Sequence, residues 1–271
     1  MTTTRIDFHA VKAKGRATWA SGDYSAVAAL IVPMAERLVE AADLAAGSTV
    51  LDVATGSGNA ALAAARSGAN VIGLDYVASL LDRGRVRAAA EGLDVEFQEG
   101  DAEDLPFEDA SFDTVLSVLG VMFTPNQERA AAELVRVTRP GGTIALANWI
   151  PSSFIGEMFR TVAAYVPPPA GVKPPGLWGT EDRLRELFGT DVTRLGIRRR
   201  TFVFRFRSPE EFAEFFRANY GPVLKAFQVL DEPNRKGLWD DLVALARKHN
   251  RTPSGSVAIP ADYLEVIAIR R

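Results

Sequence analysis

The chain has 271 residues, 47% of them hydrophobic and 24% charged, enough for one large α/β domain or a domain with an appended cap. A net charge of −3 leaves no electrostatic footprint for nucleic acid or an anionic membrane. With no cysteine and two histidines, His9 and His249, the composition excludes disulfides, thiolate metal sites, a cysteine nucleophile and a histidine-rich metal centre.

The first residues, as far as His9, carry no apolar stretch, so a secretory signal is not expected. The longest apolar runs, such as Ala26–Pro33, are too short to span a bilayer. A cytoplasmic enzyme is the default expectation. Residues 1–46 contain an amphipathic pattern near Ser25–Ala42, which predicts a helix packed over one edge of the core or over a ligand mouth. From about residue 47 to 150, apolar runs alternate with helical patterns, as βαβ units do.

Thr49–Ala54 is a β-rich run that stops at a glycine turn, followed by an alanine-rich helix over Asn59–Ser67 closed by Gly68. Asn70–Leu74 is a second strand ending at Asp75. Val77–Glu91 reads as a helix, with Leu80, Leu81 and Val86 inward, arginines outside and Gly92 as its stop. Asp94–Gln98 and Asp113–Leu119 are strands three and four. A helix over Gln127–Val137 leads to Arg139-Pro140-Gly141-Gly142, a forced turn before a fifth strand, Gly142–Trp149.

Residues 151–271 are less regular. Pro167-Pro168-Pro169 and Pro174-Pro175 mark an extended connector, and Glu181–Phe188 a helix. Arg198-Arg199-Arg200 reads as a solvated edge. Arg200–Arg207 alternates, with Phe202, Phe204 and Phe206 on one face, as in a half-buried strand. Helices over Pro209–Ala218 and Arg235–Lys248 and a closing strand over Tyr263–Ile269 complete the chain, for seven strands in all.

Glycines between a strand and a helix let backbone approach a ligand closely, with helix N–H groups aimed at it. The turn Gly56-Ser57-Gly58-Asn59-Ala60-Ala61 satisfies the dinucleotide pattern, and Asp75 follows at about the distance, roughly 20 residues, of a ribose-binding acid. Taken alone, the turn fits NAD and S-adenosylmethionine equally. Charge separates them. Asp52, just before the turn, would repel a pyrophosphate, whereas S-adenosylmethionine brings a cationic ammonium and sulfonium.

Five stretches of the core are similar to class I S-adenosylmethionine-dependent methyltransferases of the ubiquinone/menaquinone-biosynthesis type. Leu51-Asp52-Val53-Ala54-Thr55-Gly56-Ser57-Gly58 resembles the first motif and Ile72-Gly73-Leu74-Asp75 the acidic end of the second strand. Gly100-Asp101-Ala102-Glu103-Asp104-Leu105-Pro106-Phe107 resembles the loop after strand three. Ser111-Phe112-Asp113-Thr114-Val115-Leu116 resembles strand four, and Arg136-Val137-Thr138-Arg139-Pro140-Gly141-Gly142 the turn before strand five. The resemblance spans about residues 49–149. It departs at Ala54, where the family often has glycine; alanine fits if the backbone keeps φ < 0.

The resemblance implies a Rossmann-like, doubly wound, mostly parallel seven-stranded sheet with an antiparallel last strand. Helical lid segments would sit at both ends of the chain. It implies S-adenosylmethionine as cofactor, S-adenosylhomocysteine as product and a small-molecule methyl acceptor as partner. Asp75 would accept the ribose hydroxyls, Asp101 the adenine amino group with Ala102 donating its N–H, and Asp52 would steer the methionyl ammonium. Val53, Ala54, Thr55, Gly56, Gly58 and Asn59 would form the turn, and the peptides of Val118, Leu119 and Gly120 the methionine end. Tyr76, Leu80 and Glu103 would flank the nucleoside. Trp19 and Tyr24, in a segment similar to a lid, would close over the methionine end with cation–π attraction to the sulfonium.

Each role has a plainer counterpart: Asp75 as a helix cap, Asp101 as a turn former, Leu80 as core. Methyl transfer from a sulfonium needs mainly positioning and exclusion of water, so no catalytic residue is singled out, His9 and His249 reading as surface groups. Met122, Phe123, Trp149, Phe154, Met158, Phe159 and Trp178 are candidates for an apolar acceptor pocket, half of them expected to be core. Phe212, Phe215, Phe216 and Tyr220 recur at helical spacing, as in a lid helix packed on the core. An NAD-type oxidoreductase and a cofactor-binding module without transfer remain the rival readings.

Overall fold

A computed structural model describes residues 6–253 and 255–271; the expected N-terminal segment therefore begins outside the described residues. Helices α1 (Phe8–Trp19), α2 (Tyr24–Leu30) and α3 (Val32–Ala42) precede the core. The core runs β1 (Thr49–Val53), α4 (Asn59–Arg66), β2 (Asn70–Asp75), α5 (Ala78–Glu91), β3 (Val95–Glu99), β4 (Phe112–Val118), α6 (Gln127–Val137) and β5 (Thr138–Trp149). Then follow α7 (Phe154–Tyr165), α8 (Glu181–Phe188), β6 (Val192–Phe206), α9 (Pro209–Asn219), α10 (Gly221–Val229), α11 (Glu232–His249) and β7 (Val257–Arg270).

The strands form one sheet in the order β3-β2-β1-β4-β5-β7-β6. All neighbours pair parallel except β7, which runs antiparallel to both β5 and β6. The expected class, a Rossmann-like doubly wound sheet, is the one observed. Being covered on both faces, the central strands are largely apolar: Val50, Leu51 and Val53 of β1 are fully buried. The strand order reverses between β1 and β4, so the loops leaving their carboxyl ends part and open a crevice.

The predicted helix over Ser25–Ala42 is two helices, broken at Ile31. Pro33 sits in the first turn of α3; it lacks an N–H, and its ring would clash with the carbonyl four residues back in a continuous helix. Beyond the break, α3 buries Met34, Ala35, Leu38, Val39 and Ala42 on one stripe.

In α5 the buried set is Leu80, Leu81, Gly84 and Ala88, and Val86 is 70% exposed, against expectation. At about 100° per residue Val86 lies roughly 140° round from Leu81, off the apolar stripe. Nor do all its arginines face outward, because Arg87 Nη1 donates to the Ser57 carbonyl and to Asn59 Oδ1, bracing the glycine turn. The Arg139–Gly142 turn is absorbed into β5 as a bulge: Phe112 pairs with Thr138, and Thr114 with Thr143.

Strands β6 and β7 are longer than their apolar cores suggested and pair along their whole lengths. Pro260 is tolerated because β5 ends opposite Tyr263, leaving that part of β7 without a neighbour on one side. Arg199 and Arg200 of the basic run form ion pairs with Asp262 and Glu265 across this ladder.

Candidate functional site

A cleft opens at the carboxyl ends of β1, β2 and β4. The turn after β1 is built from below. Asp52, buried, accepts from Thr55 Oγ1 at 2.5 Å and from the Ala61 N–H at 2.9 Å, both through Oδ2. Asp75 Oδ2 accepts from the Gly56 N–H at 2.9 Å and its Oδ1 from the Val77 N–H at 2.9 Å, tying the turn to the start of α5. Asp75 thus closes a turn ahead of α5 and does not cap it: the N-cap is Val77, with no side-chain cap bond, and the same carboxylate lines the cleft.

Burial dominates both acids. It raises Asp52 to about 7 and Asp75 to about 6, against hydrogen bonds from Thr55 and Ala61 to the one and from Val77 and Gly56 to the other, which favour charge. A cation beside the glycine turn would favour the charged forms of both acids and offset that burial.

Gly58 starts α4 at φ +86, and a Cβ there would come 2.9 Å from Cζ of Phe97. Cβ atoms on Gly73 and Gly84 would come within 3.1 and 2.6 Å of the same ring. Three elements thus close on one phenylalanine only because each meets it with a glycine. Ala54 adopts φ +54, the left-handed region, so the condition φ < 0 is not met. Leu119, across the crevice, lies at φ +62, and a Cβ on Gly120 would fall 2.5 Å from that of Ala54.

Of the residues singled out from sequence, Asp52, Ala54, Thr55, Gly56 and Asn59 line the cleft at the turn. Asp75, Tyr76, Leu80, Asp101, Ala102 and Glu103 line it at the far end, and Trp19, Tyr24, Val118, Leu119 and Gly120 close the near end. Val53 and Gly58 stand behind the wall; the Val53 carbonyl accepts from Ser117 Oγ at 2.7 Å.

Lys12 of α1, absent from the sequence reading, also lines the cleft. Its Nζ lies 2.5 Å from Asp101 Oδ2 and 3.3 Å from Glu103 Oε2. Burial opposes its charge, but the Asp101 hydrogen bond and both carboxylates outweigh burial and raise its pKa. Asp101 Oδ1 accepts from the Glu103 N–H at 2.9 Å, so Asp101 also forms the turn of its plainer reading. Ile31, likewise missed, reaches the cleft through the break at Pro33, a signal the sequence did contain.

Residues 51–146 match the Methyltransferase domain family. Over 215 residues the chain is 45% identical to an uncharacterized protein of Mycobacterium tuberculosis, covering 78% of each. It is 35% identical over 173 residues to the demethylmenaquinone methyltransferase of Deinococcus radiodurans, covering 62% of this chain and 66% of that one. The chain belongs to the class I S-adenosylmethionine-dependent methyltransferases. The fold agrees: the YcgJ protein from Bacillus subtilis superposes with a TM-score of 0.60 at 17% identity, over 88% of this chain and 97% of its own.

In this methyltransferase an aromatic cluster covers the near end of the cleft. The Trp19 ring lies edge-on to Tyr24 at 5.4 Å, Phe123 at 4.8 Å and Tyr220 at 5.5 Å between centroids. Of the acceptor candidates, Phe123, Trp149 and Met158 line a smaller cavity beyond it, and Phe159 packs on Phe123. Met122, Phe154 and Trp178 are fully buried core. His9 is exposed on α1, and His249 packs on Phe154 with Nε2 3.1 Å from Glu157; neither lines the cleft. Among the described residues no cluster could hold a metal ion, and no helix is long and apolar enough to cross a membrane.

Proposed function

We propose that the protein binds S-adenosylmethionine in this cleft and methylates a small, largely apolar molecule. The observation that carries the reading is the pair of buried carboxylates, Asp52 and Asp75, at the glycine turn. A pyrophosphate there would meet two acids, whereas a sulfonium and an ammonium relieve their charge. When bound, the cofactor supplies a methyl group on cationic sulfur, which an acceptor's lone pair can displace in line.

The chain's own part is to bind, orient and exclude water. Asp75 keeps lone pairs for the ribose, and Asp101, once shared with Lys12, can accept from the adenine amino group. The Trp19 cluster shields the methionine end and offers aromatic faces to the sulfonium. Residues 47–150 act as the cofactor-binding core, 1–46 as an N-terminal helical lid, and 151–271 as the acceptor-side lid together with the strands that complete the same sheet. At the near end, burial raises Tyr24 and Tyr220 well above the ordinary tyrosine range, so both stay protonated at neutral pH.

Titration of the purified protein with S-adenosylhomocysteine and with NADH tests the reading. Saturable binding of the first and none of the second is expected; the reverse pattern would overturn it.

A further inference from the structure

The two ends of α1 are held to the rest of the protein by different means. At the C-terminal end the contacts are close and largely apolar. Trp19 packs on Tyr24, Phe123 and Tyr220. A Cβ on Gly221 would fall 2.1 Å from the Thr18 carbonyl oxygen, and one on Gly22 would fall 2.7 Å from that of Asn219. This end is therefore locked against α9 and α10 by backbone. Earlier along α1 the attachments are polar: Lys12 reaches Asp101 and Glu103, and Arg16 reaches Glu99. Gly15 leaves room for the Tyr76 hydroxyl, which stands 3.2 Å from where its Cβ would be. No residue of α1 is buried. The helix is pivoted at Trp19 and fastened at Lys12.

The fastening stands where a nucleoside would go. Lys12, Tyr76, Asp101 and Glu103 line the same end of the cleft. Asp101 Oδ2 accepts from the Lys12 ammonium and Oδ1 from the Glu103 N–H, so both oxygens are engaged within the chain. Closed in this way, the cleft has about 90 Å³ of free volume, against roughly 300 Å³ at the small end of ligand pockets. A nucleoside carrying an amino-acid arm does not fit that space, so the polar end of α1 has to swing out before it enters. Glu103, 4% exposed and 3.3 Å from Lys12 Nζ, offers the ammonium a second partner once Asp101 is taken.

We propose that Lys12 is an autoinhibitory latch. In the cofactor-free protein its ammonium holds α1 shut on Asp101, and the cofactor enters only after that pair breaks, with Lys12 then resting on Glu103. The side chains of the pair are 26% and 34% exposed, which makes it weak enough to open thermally and accessible to screening by salt. Association is then limited by the fraction of molecules with the latch open. The inference rests on the cofactor reading above and adds to it how the cleft is entered.

Stopped-flow mixing of the full chain with S-adenosylhomocysteine, followed by tryptophan fluorescence, tests the latch. The ligand is a zwitterion without net charge near neutral pH, so salt has little steering effect on it. Wild-type association should nevertheless quicken by about 3- to 10-fold as ionic strength rises from about 0.05 to 0.5 M, because the pair that must break is screened. K12M should associate about 3- to 10-fold faster than wild type at low salt and lose the salt response. K12R, which keeps the cation, should retain the slow rate and its salt dependence. The wild-type salt response keeps the test decisive if K12M does not fold. An association rate that salt leaves unchanged, or that K12M leaves unchanged or slows, would overturn the latch while S-adenosylhomocysteine binding still upheld the cofactor reading. Failure of the wild type to bind S-adenosylhomocysteine would overturn that reading and this inference with it.

Discussion

At the scale of single residues, Ala54 concentrates the strain of the site. A non-glycine residue in the left-handed region costs about 1–2 kcal/mol, partly offset by the entropy that glycine would lose on folding. A54G should therefore stabilise the protein by up to about 1 kcal/mol, measured by denaturant unfolding; a loss of stability would show that the alanine methyl contributes packing beyond the strain it carries. Asp52 and Asp75 make the molecule pH-dependent. An acid raised from 3.8 to about 7 or about 6 binds more protons folded than unfolded, so its contribution to stability declines as pH rises. The melting temperature of the unliganded protein should carry a component that falls between about pH 4 and 7, and D52N should flatten it. Affinity for S-adenosylhomocysteine should climb over the same window as the carboxylates ionise. D75A should weaken that affinity at least about tenfold, read by calorimetry; an unchanged affinity would remove the ribose from Asp75.

Among elements, the loop between β3 and β4 is held to α6 by two arginines, with Arg129 donating to the Glu103 carbonyl at 2.8 Å. Arg136 of α6 pairs with buried Glu133 at 2.7 Å and donates to the carbonyls of Leu105 and Phe107, while Glu133 accepts from the Leu105 N–H at 2.8 Å. Removing one partner leaves the rest buried and unmatched, so E133A should cost about 3 kcal/mol in urea unfolding. The contact of α5 with β3 is equally specific. A Cβ at Gly84 would meet the Phe97 ring at 2.6 Å, and G84A should destabilise by about 1–3 kcal/mol unless the ring shifts, which a companion F97L would reveal by restoring stability.

For the whole molecule, the proposed cofactor cleft is where core and N-terminal helices meet. Helix α1 buries no residue of its own and is attached through Lys12 to Asp101 and Glu103, Arg16 to Glu99, and Trp19 to the aromatic cluster. Exposed and half-exposed ion pairs contribute little to stability. Removal of residues 1–18 should therefore lower the melting temperature slightly while weakening S-adenosylhomocysteine binding severalfold. A large loss of stability with intact binding would make α1 a structural brace. Saturating S-adenosylhomocysteine should stabilise the full chain by about 2.7 kcal/mol at a hundredfold excess over Kd.

The strands of the core, the glycine turn and the acidic strand end were legible in the sequence because their signals are local. Apolar runs, turn glycines and the Asp75 turn act over a few residues, and their order along the chain dictates a parallel sheet. Helices α1, α7 and α10 escaped, as did the early part of β6, where polar side chains hide the alternation. Other features existed only once the chain had folded. Lys12 meets Asp101 across 89 residues, three glycines converge on Phe97 from three elements, and the smaller cavity takes its walls from both lids. The sequence by itself determined the acid-flanked glycine turn on which the proposed cofactor site rests, since Asp52 and the turn residues are neighbours in the chain. The handedness of Ala54, the partner of Asp101 and the shape offered to an acceptor were decided by tertiary structure, because each depends on which distant surfaces the packed sheet brings together.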